Sequence, residues 1–526
     1  MKGETLSVPP EEAIRSPSIH RSPFTLRRSS FPALDLLLVF FILNLALQPL
    51  VEPDFGWHLR TGLDLLTQGW TMPATDPYSH TMPDWPWVEH AWLMDGLIGL
   101  LYERLGAAGP LAVILLFAAI TAGAFGTAAG LAQVCPTYRL WAIAGALWVS
   151  LPFLGARTQM VTLLGLALLL HLYSLYLAGR LQRLWILPPL FLLWANLHGG
   201  VTAGLFVLVL VLVVAAALRL AVSRWASLGL AESLDEPIPT WEQIGHLALV
   251  ILVSASATLL NPYGWRLYGE IYASLNDRFM IEVLHEWQQV SLQSQAGATY
   301  VGYLGLLGLA LALFYRRVEP VRWSLLTFFL VQSLLHWRNV LFFVLLATPL
   351  WAELLAEATR RMSSLVPNVQ RQKQALLGLT LVVALGMVWL GSDHLQRVIQ
   401  AGLAPEEFFR STEYPIEAVQ WIKGHREQLG TKLYNDYGLG GFLLWWLPGE
   451  KIFIDGRMPA WRIGDRWIFY DYVALTAWDP PELRVLDKYG VDWAIVGKGT
   501  PLDLALAGHE TWHVAYEDNK VTIFSR

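Results

Sequence analysis

Apolar residues run along this chain in blocks long enough to cross the roughly 30 Å hydrocarbon core of a bilayer. They recur at about 32–51, 109–131, 139–155, 157–178, 184–199, 201–222, 244–260, 298–315, 321–337, 338–356 and 375–391, which predicts about eleven membrane helices. Residues 1–31 are polar, proline-rich and basic, with Arg15, Arg21, Arg27 and Arg28, a composition expected to be disordered and cytoplasmic. No small-residue cleavage site follows the first apolar run, so it reads as a signal anchor that stays in the protein. Segment 91–106 is apolar but short and carries Asp95, Glu103 and Arg104, which predicts an interfacial helix. Arg338 and Asn339 fall in a tight break between two runs.

From about Ser392 the periodicity changes. TKLYN (431–435), KIFID (451–455), DWAIVG (492–497), WHVAYE (512–517) and KVTIF (520–524) read as short strands, with helical stretches near 415–428, 440–447 and 481–489. The expected organisation is a cytoplasmic N-terminus (1–31), a membrane domain (32–391) with a large first external loop (52–108), and a C-terminal extracytoplasmic α/β domain (392–526).

Charge sets the orientation. With the N-terminus inside and the sides alternating, Arg180 with Arg183, Arg316 with Arg317, and Arg360 with Arg361 fall on the cytoplasmic side. Only scattered residues such as Arg60, Arg157 and Arg338 fall outside. This is the positive-inside asymmetry, and it puts the C-terminus outside.

Composition agrees: of 526 residues, 55% are apolar and 15% charged, with 25 Trp, which points to a polytopic α-helical membrane protein. The net charge is −5 with no basic tract, so nucleic acid is excluded as a partner class and membrane lipid or a lipid-linked substrate fits better. A single cysteine, Cys135, allows no internal disulfide. Walker, GxSxG and HExxH motifs are absent, which counts against ATP-driven transport and serine or zinc hydrolysis.

The polar residues gather on the predicted external side, above all in EPDFGWHLRTGLDLLTQGWTMPATDPYSHTMPDWPWVEHAW (52–92). Asp54 and His58, four residues apart, share a face if the helix continues. A carboxylate at the membrane surface with a neighbouring His suits a general base, or else caps a helix. Asp76, Glu89 and His90 are further candidates: DPYSHT reads first as a turn, and Glu89 with His90 as hydrogen-bonding partners or a metal site without a zinc spacing. Trp57 belongs either to an interfacial belt or to a sugar-stacking surface. Arg157 and Arg338 lie where a lipid-linked phosphate would sit, unless they snorkel. Asn196, His198, Asn261, His336 and Asn339 could line a substrate pocket. In the C-terminal domain, NDYGLGG (435–441) reads as a turn, and Asp455 with Arg457 in FIDGR either faces the membrane site, contacting an acceptor, or closes a local ion pair. No cofactor follows from these residues, and a divalent ion such as magnesium or manganese is compatible with them.

PDFGWHLRTG, DPYSHT and WPWVEHAWL resemble the first external loop of bacterial multispanning proteins related to the C-type (GT-C) glycosyltransferase superfamily, which includes protein mannosyltransferases and aminoarabinose transferases. WANLHGG, LLNPYGW, HEW, HWRNVLFF, NDYGLGGFLLW and FIDGR are similar to the same group, across most of 35–525. The resemblance implies transfer of a sugar from a polyprenyl-phosphate donor to a protein, lipid or glycan acceptor outside the prokaryotic inner membrane. Asp54 matches the acidic base of the first loop by position. The superfamily often pairs two acids there, but here Phe55 follows Asp54, leaving Asp76 and Glu89 as candidates for the second. A lipid-diphosphate oligosaccharide ligase or polymerase is an alternative, as is a non-catalytic transporter or scaffold for envelope polysaccharide.

Overall fold

Prolines end the first apolar run sooner than hydropathy alone would place its end. In the computed structural model, which describes residues 32–365 and 391–526 apart from 226, 228, 316 and 478, together with 378, 381, 382 and 386, helix α1 spans Pro32–Ala46 and α2 begins at Phe55 and ends at Thr67. Pro49 and Pro53 lie between them, and proline can neither donate a helical hydrogen bond nor tolerate a helical residue before it. Asp54 therefore precedes a new helix instead of continuing the first. Helix α3 (Trp92–Leu105) closes at Gly106, whose φ of +53° needs glycine. The bundle continues with α4 (Gly109–Ala129), α5 (Pro136–Ser150), α6 (Gln159–Leu177), α7 (Leu187–Leu197), α8 (Val201–Arg224), the short α9 (Leu230–Ser233) and α10 (Trp241–Ala257). Then come α11 (Arg266–Asn276), α12 (Arg278–Val283), α13 (Gln295–Phe314), α14 (Pro320–Leu335) and α15 (Val340–Leu365).

Among the described residues, five stretches are long and apolar enough to cross a membrane: Trp92–Ala129, Gln159–Leu177, Val201–Arg224, Gln295–Phe314 and Trp337–Met362. Shorter apolar helices at α1, α7, α10 and α14 pack among them, so the chain is a multi-pass membrane protein. Residues 1–31 and most of the run expected at 375–391 lie outside the described residues.

Contacts sort the helix ends onto two sides of the bundle. At one end Thr137 donates to Asp35 (2.7 Å) and Arg322 grips Glu353 (2.9 and 3.1 Å). At the other, His394 bonds the Leu47 carbonyl (2.7 Å) and Arg157 reaches Glu52 (2.5 Å). Glycines permit the closest crossings. The Trp194 ring lies where a Cβ on Gly165 or Gly204 would stand, and α2 meets α3 through Gly62 and Gly99 backbone to backbone.

The C-terminal part builds β1 (Leu433–Asn435), a β2–β3 hairpin (Arg462–Ile463 and Arg466–Trp467), β4 (Trp493–Gly497), β5 (His513–Glu517) and β6 (Val521–Ser525). The four-stranded sheet has the order β1-β4-β6-β5, with β1 parallel to β4 and the other pairs antiparallel. The turn expected at 517–519 is there, closed by Asp518 accepting from the Lys520 and Val521 amides (2.7 and 2.8 Å). KIFID, expected as a strand, does not join this sheet. The Asn435 amide occupies the Phe453 N–H and Ile454 carbonyl (2.8 Å each), and Ile452 bridges to Ser79 of the first loop instead.

That bridge begins a long seam. Ile452 N–H donates to the Tyr78 carbonyl (3.0 Å), the His80 N–H to the Ile452 carbonyl (3.2 Å), and the Thr81 hydroxyl to the Phe453 carbonyl (2.7 Å). The helix Gly440–Trp446 lies on α2, with Gly441 against the Pro53 carbonyl and Gly56 against Gly441. Replacing Gly441 by Ala should therefore destabilise by about 1–3 kcal/mol or more, because backbone rather than a flexible side chain must yield. Gly449→Ala, with nothing nearby, should not; thermal unfolding of the two variants in detergent measures the difference.

Candidate functional site

Because α2 starts afresh at Phe55, the Asp54 side chain is free to leave the helix axis, and it makes no capping bond to the helix. Its Oδ1 accepts from Trp57 Nε1 (3.2 Å). The carboxylate lies directly against Gly456, where any Cβ would collide with it. Among the described residues no protein group donates to its Oδ2. Poor solvent access raises the Asp54 pKa to about 6, with Glu52 adding to the shift and His58 and the Trp57 bond opposing it. Such a carboxyl is ionised at neutral pH and more basic than an ordinary aspartate.

Two arginines gather at a carboxylate that acts on it, Glu286. Arg157 holds Glu52 (Nε to Oε2, 2.5 Å), and both Arg157 and Arg338 stand 3.8 Å from the Glu286 carboxylate, one on each oxygen. Arg338 also lies over the Trp287 ring, 4.3 Å from its centre. Glu286 and Glu52 act electrostatically on Asp54, and Asp54 on Arg157. Both arginines, predicted from opposite halves of the membrane domain, thus meet at one carboxylate beside Asp54.

Asp76, Asp455 and Arg457 form a different structure. Arg457 donates to Asp76 Oδ1 (2.7 Å) and, through Nε, to both Asp455 oxygens (2.9 and 2.8 Å). Its side chain is 5% exposed and each aspartate's 0%. The rings of Trp57, Tyr78, Trp87 and Trp461 surround the guanidinium at 5.1–6.0 Å. Asp76 also accepts from the Tyr78 and Ser79 amides (3.2 and 2.9 Å), which is the expected turn. Of the two readings of FIDGR, the geometry is that of the ion pair: burial closes Asp455 and Arg457 to a contacting acceptor, and the pair is long-range, to Asp76, as well as local.

His58 shares the helical face of Asp54 but points the other way. Its Nδ1 lies 2.6 Å from Asp95 Oδ1, and its ring stacks against Trp57 with centroids 3.5 Å apart. Glu89 is buried beside them and accepts from the Ala91 amide (3.0 Å); burial, with Asp95 adjacent, holds its pKa well above the usual carboxylate range. His90 continues the row, its ring centre 6.5 Å from His58 and 5.5 Å from His198. His198 Nδ1 receives the Gly200 N–H (3.0 Å) and stands 2.8 Å from Thr162 Oγ1, itself bonded by Trp194 Nε1 (3.1 Å). The proton of a neutral His198 is therefore on Nε2.

The remaining residues expected in a pocket are occupied by the fold. Asn196 accepts from Trp92 (2.9 Å) and donates to the Leu192 and Leu260 carbonyls (2.8 and 3.0 Å). Asn261 organises its own turn through Thr258, Tyr263 and Gly264. His336 Nδ1 bonds the Trp287 carbonyl (2.9 Å), and Asn339 closes the one-turn break after α14 through its backbone. Three residues at the site were not singled out by sequence: Glu52, Glu286 and Asp95. Asp95 carried a signal, a carboxylate in an apolar run; Glu286 stood in HEW without a role.

No family model matches the sequence, and no curated protein does. Solved structures do match. The Archaeoglobus fulgidus oligosaccharyltransferase tethered with an acceptor peptide containing the NVT sequon superposes with TM-score 0.50 at 11% identity, over 89% of this chain and 69% of that one. ArnT from Cupriavidus metallidurans in the apo state gives TM-score 0.50 at 14% identity, over 94% and 97%. Both are C-type glycosyltransferase superfamily members, and the likeness at these identities is one of fold.

Removing the Arg457 guanidinium leaves two buried carboxylates without a counter-ion. Arg457→Met should cost about 3–5 kcal/mol, read as a lowered unfolding temperature in detergent and as protease sensitivity at the seam between the first loop and the C-terminal domain.

Proposed function

We propose that this protein is a membrane glycosyltransferase that moves a sugar from a polyprenyl-phosphate donor to an acceptor outside the cytoplasm of a prokaryotic cell. The observation that carries the reading is the bridge from Arg157 through Glu286 to Arg338 beside Asp54. At 3.8 Å each contact is longer than a hydrogen bond, so a phosphate can replace the carboxylate and gain charge-assisted bonds to both guanidiniums. The C-type fold and the segregation of polar residues to one end of the bundle support it; a transporter would need polar residues along a path between the two surfaces. The positive-inside asymmetry supports placing that end outside.

In this mechanism Asp54 Oδ2 removes the proton of an acceptor hydroxyl as the oxygen attacks the anomeric carbon. The bond from that carbon to the phosphate oxygen breaks, its electron pair leaves with the lipid phosphate, and Arg157 and Arg338 stabilise the developing charge. A single displacement inverts the anomeric configuration. The acceptor approaches between α11–α12 and the β2–β3 hairpin, where Asn276, Asp277, Glu282 and Arg462 line an open groove. Peptide is one acceptor class consistent with that groove, since the oligosaccharyltransferase of like fold carries an acceptor peptide.

Asp54→Asn should lower turnover by about 10²-fold or more in membranes supplied with lipid-linked sugars, and full activity in that variant would sink the assignment. Because Asp54 must be ionised and its pKa is about 6, wild-type turnover should be level above that pH and fall about tenfold per unit below it. Comparing sugar monophosphate with diphosphate lipids in the same assay separates this reading from a diphosphate-dependent ligase.

A further inference from the structure

Next to the proposed base, where α2 meets α3, is a second group of ionisable side chains that the mechanism does not use. His58 comes from α2, Glu89 from the end of the first loop and Asp95 from the first turn of α3. The glycine crossing of α2 and α3 draws these elements together. Each of the three offers a ligand atom within 4.8 Å of the others, the one such group of His, Cys, Asp or Glu among the described residues. They are 4%, 3% and 0% exposed.

Two observations show that the protein alone does not satisfy this cluster. Asp95 Oδ2 is buried and has no hydrogen-bond partner. The guanidinium that acts on His58 and Glu89, Arg457, is already held by Asp76 and Asp455. Two carboxylates and an imidazole are thus packed together with one buried carboxylate oxygen left unpartnered, a position that a bound cation would satisfy.

We propose that His58, Glu89 and Asp95 bind one zinc ion. One imidazole nitrogen and two carboxylate oxygens form a mixed donor set suited to zinc, whose bonds of about 2.0–2.2 Å place neighbouring ligands roughly 3.3 Å apart. His58 Nδ1 and Asp95 Oδ1, now 2.6 Å apart, need to separate by only a fraction of an ångström. Magnesium demands six oxygen-rich positions and keeps its waters, which this enclosed site does not provide. His90 borders the cluster, its side chain 36% exposed and its Nδ1 3.8 Å from Glu89 Oε1. Bound there, the ion ties α2 to α3 and so fixes the helix that Asp54 precedes. The site does not depend on the transferase reading.

The test uses the full chain in detergent, stripped with a chelator and dialysed against zinc chloride alone, with metal counted by mass spectrometry and unfolding followed by temperature. About one zinc per chain and a raised unfolding temperature are expected. Glu89→Gln and Asp95→Asn should each weaken zinc binding by about 100-fold, whereas Asp54→Asn should bind zinc as wild type does, which separates this site from the catalytic proposal. Wild-type protein that retains no zinc would overturn the inference, as would Glu89→Gln with undiminished affinity. If Asp95→Asn does not fold by size-exclusion chromatography, Glu89→Gln decides.

Discussion

A single guanidinium joins the two halves of this protein. Arg457 is enclosed by four aromatic rings and shared between Asp76 of the first loop and Asp455 of the C-terminal domain. A buried ion pair of this kind adds little over an apolar contact of equal shape, yet it is very costly to break on one side. It acts with two further ion pairs across the same joint, Arg462–Asp277 and Arg466–Asp84, in holding the C-terminal domain on the membrane domain. The strand-like bridge from Ile452 to Ser79 and the Gly441 contact with Pro53 follow from the same docking.

The docking also creates the surroundings of Asp54. Trp57 supplies one hydrogen bond from within α2, but the wall on the other side is the backbone of Gly456, one residue from Arg457. A larger residue at 456 has no room, so peptide closes that side of a carboxylate that is otherwise half-buried. Enclosure and the nearby Glu52 are what raise its pKa. The C-terminal domain is thus part of the candidate site in the sense of shaping the environment of Asp54, while its own charged residues, Asp455 and Arg457, remain buried in the joint.

Much of this was legible in the sequence because membrane proteins write their architecture in long apolar runs and arginine placement. The apolar helices between 109 and 365 appear where hydropathy put them, give or take their ends, whereas the polar α9, α11 and α12 left no such run. The site was legible in part. Arg157 and Arg338 could be named since a charge at the end of an apolar helix stands out, but the acid between them, Glu286, lies in an ordinary polar loop where nothing local marks it. KIFID had strand composition and lost its place in the sheet to a side-chain amide, Asn435, whose mimicry of a strand edge has no sequence period. The break before α2 was signalled by Pro49 and Pro53, and the shared-face reading of Asp54 and His58 passed over it. Their spacing was right, but the two side chains diverge, one toward Gly456 and one toward Asp95.

The contact between Asp76 and Arg457 spans 381 positions of chain. A ribosome feeding this protein into a membrane delivers Asp54 and Asp76 early and their partners almost last, so throughout synthesis the helices can insert while the carboxylates stay open to water. The seam around Asp54 then closes late, when residues 435–458 arrive against the first loop. A chain cut short anywhere before that point has a complete-looking membrane domain and an ordinary surface aspartate. The order in which the surroundings of Asp54 assemble is in this way written into contact order, with the last partner arriving late in the chain.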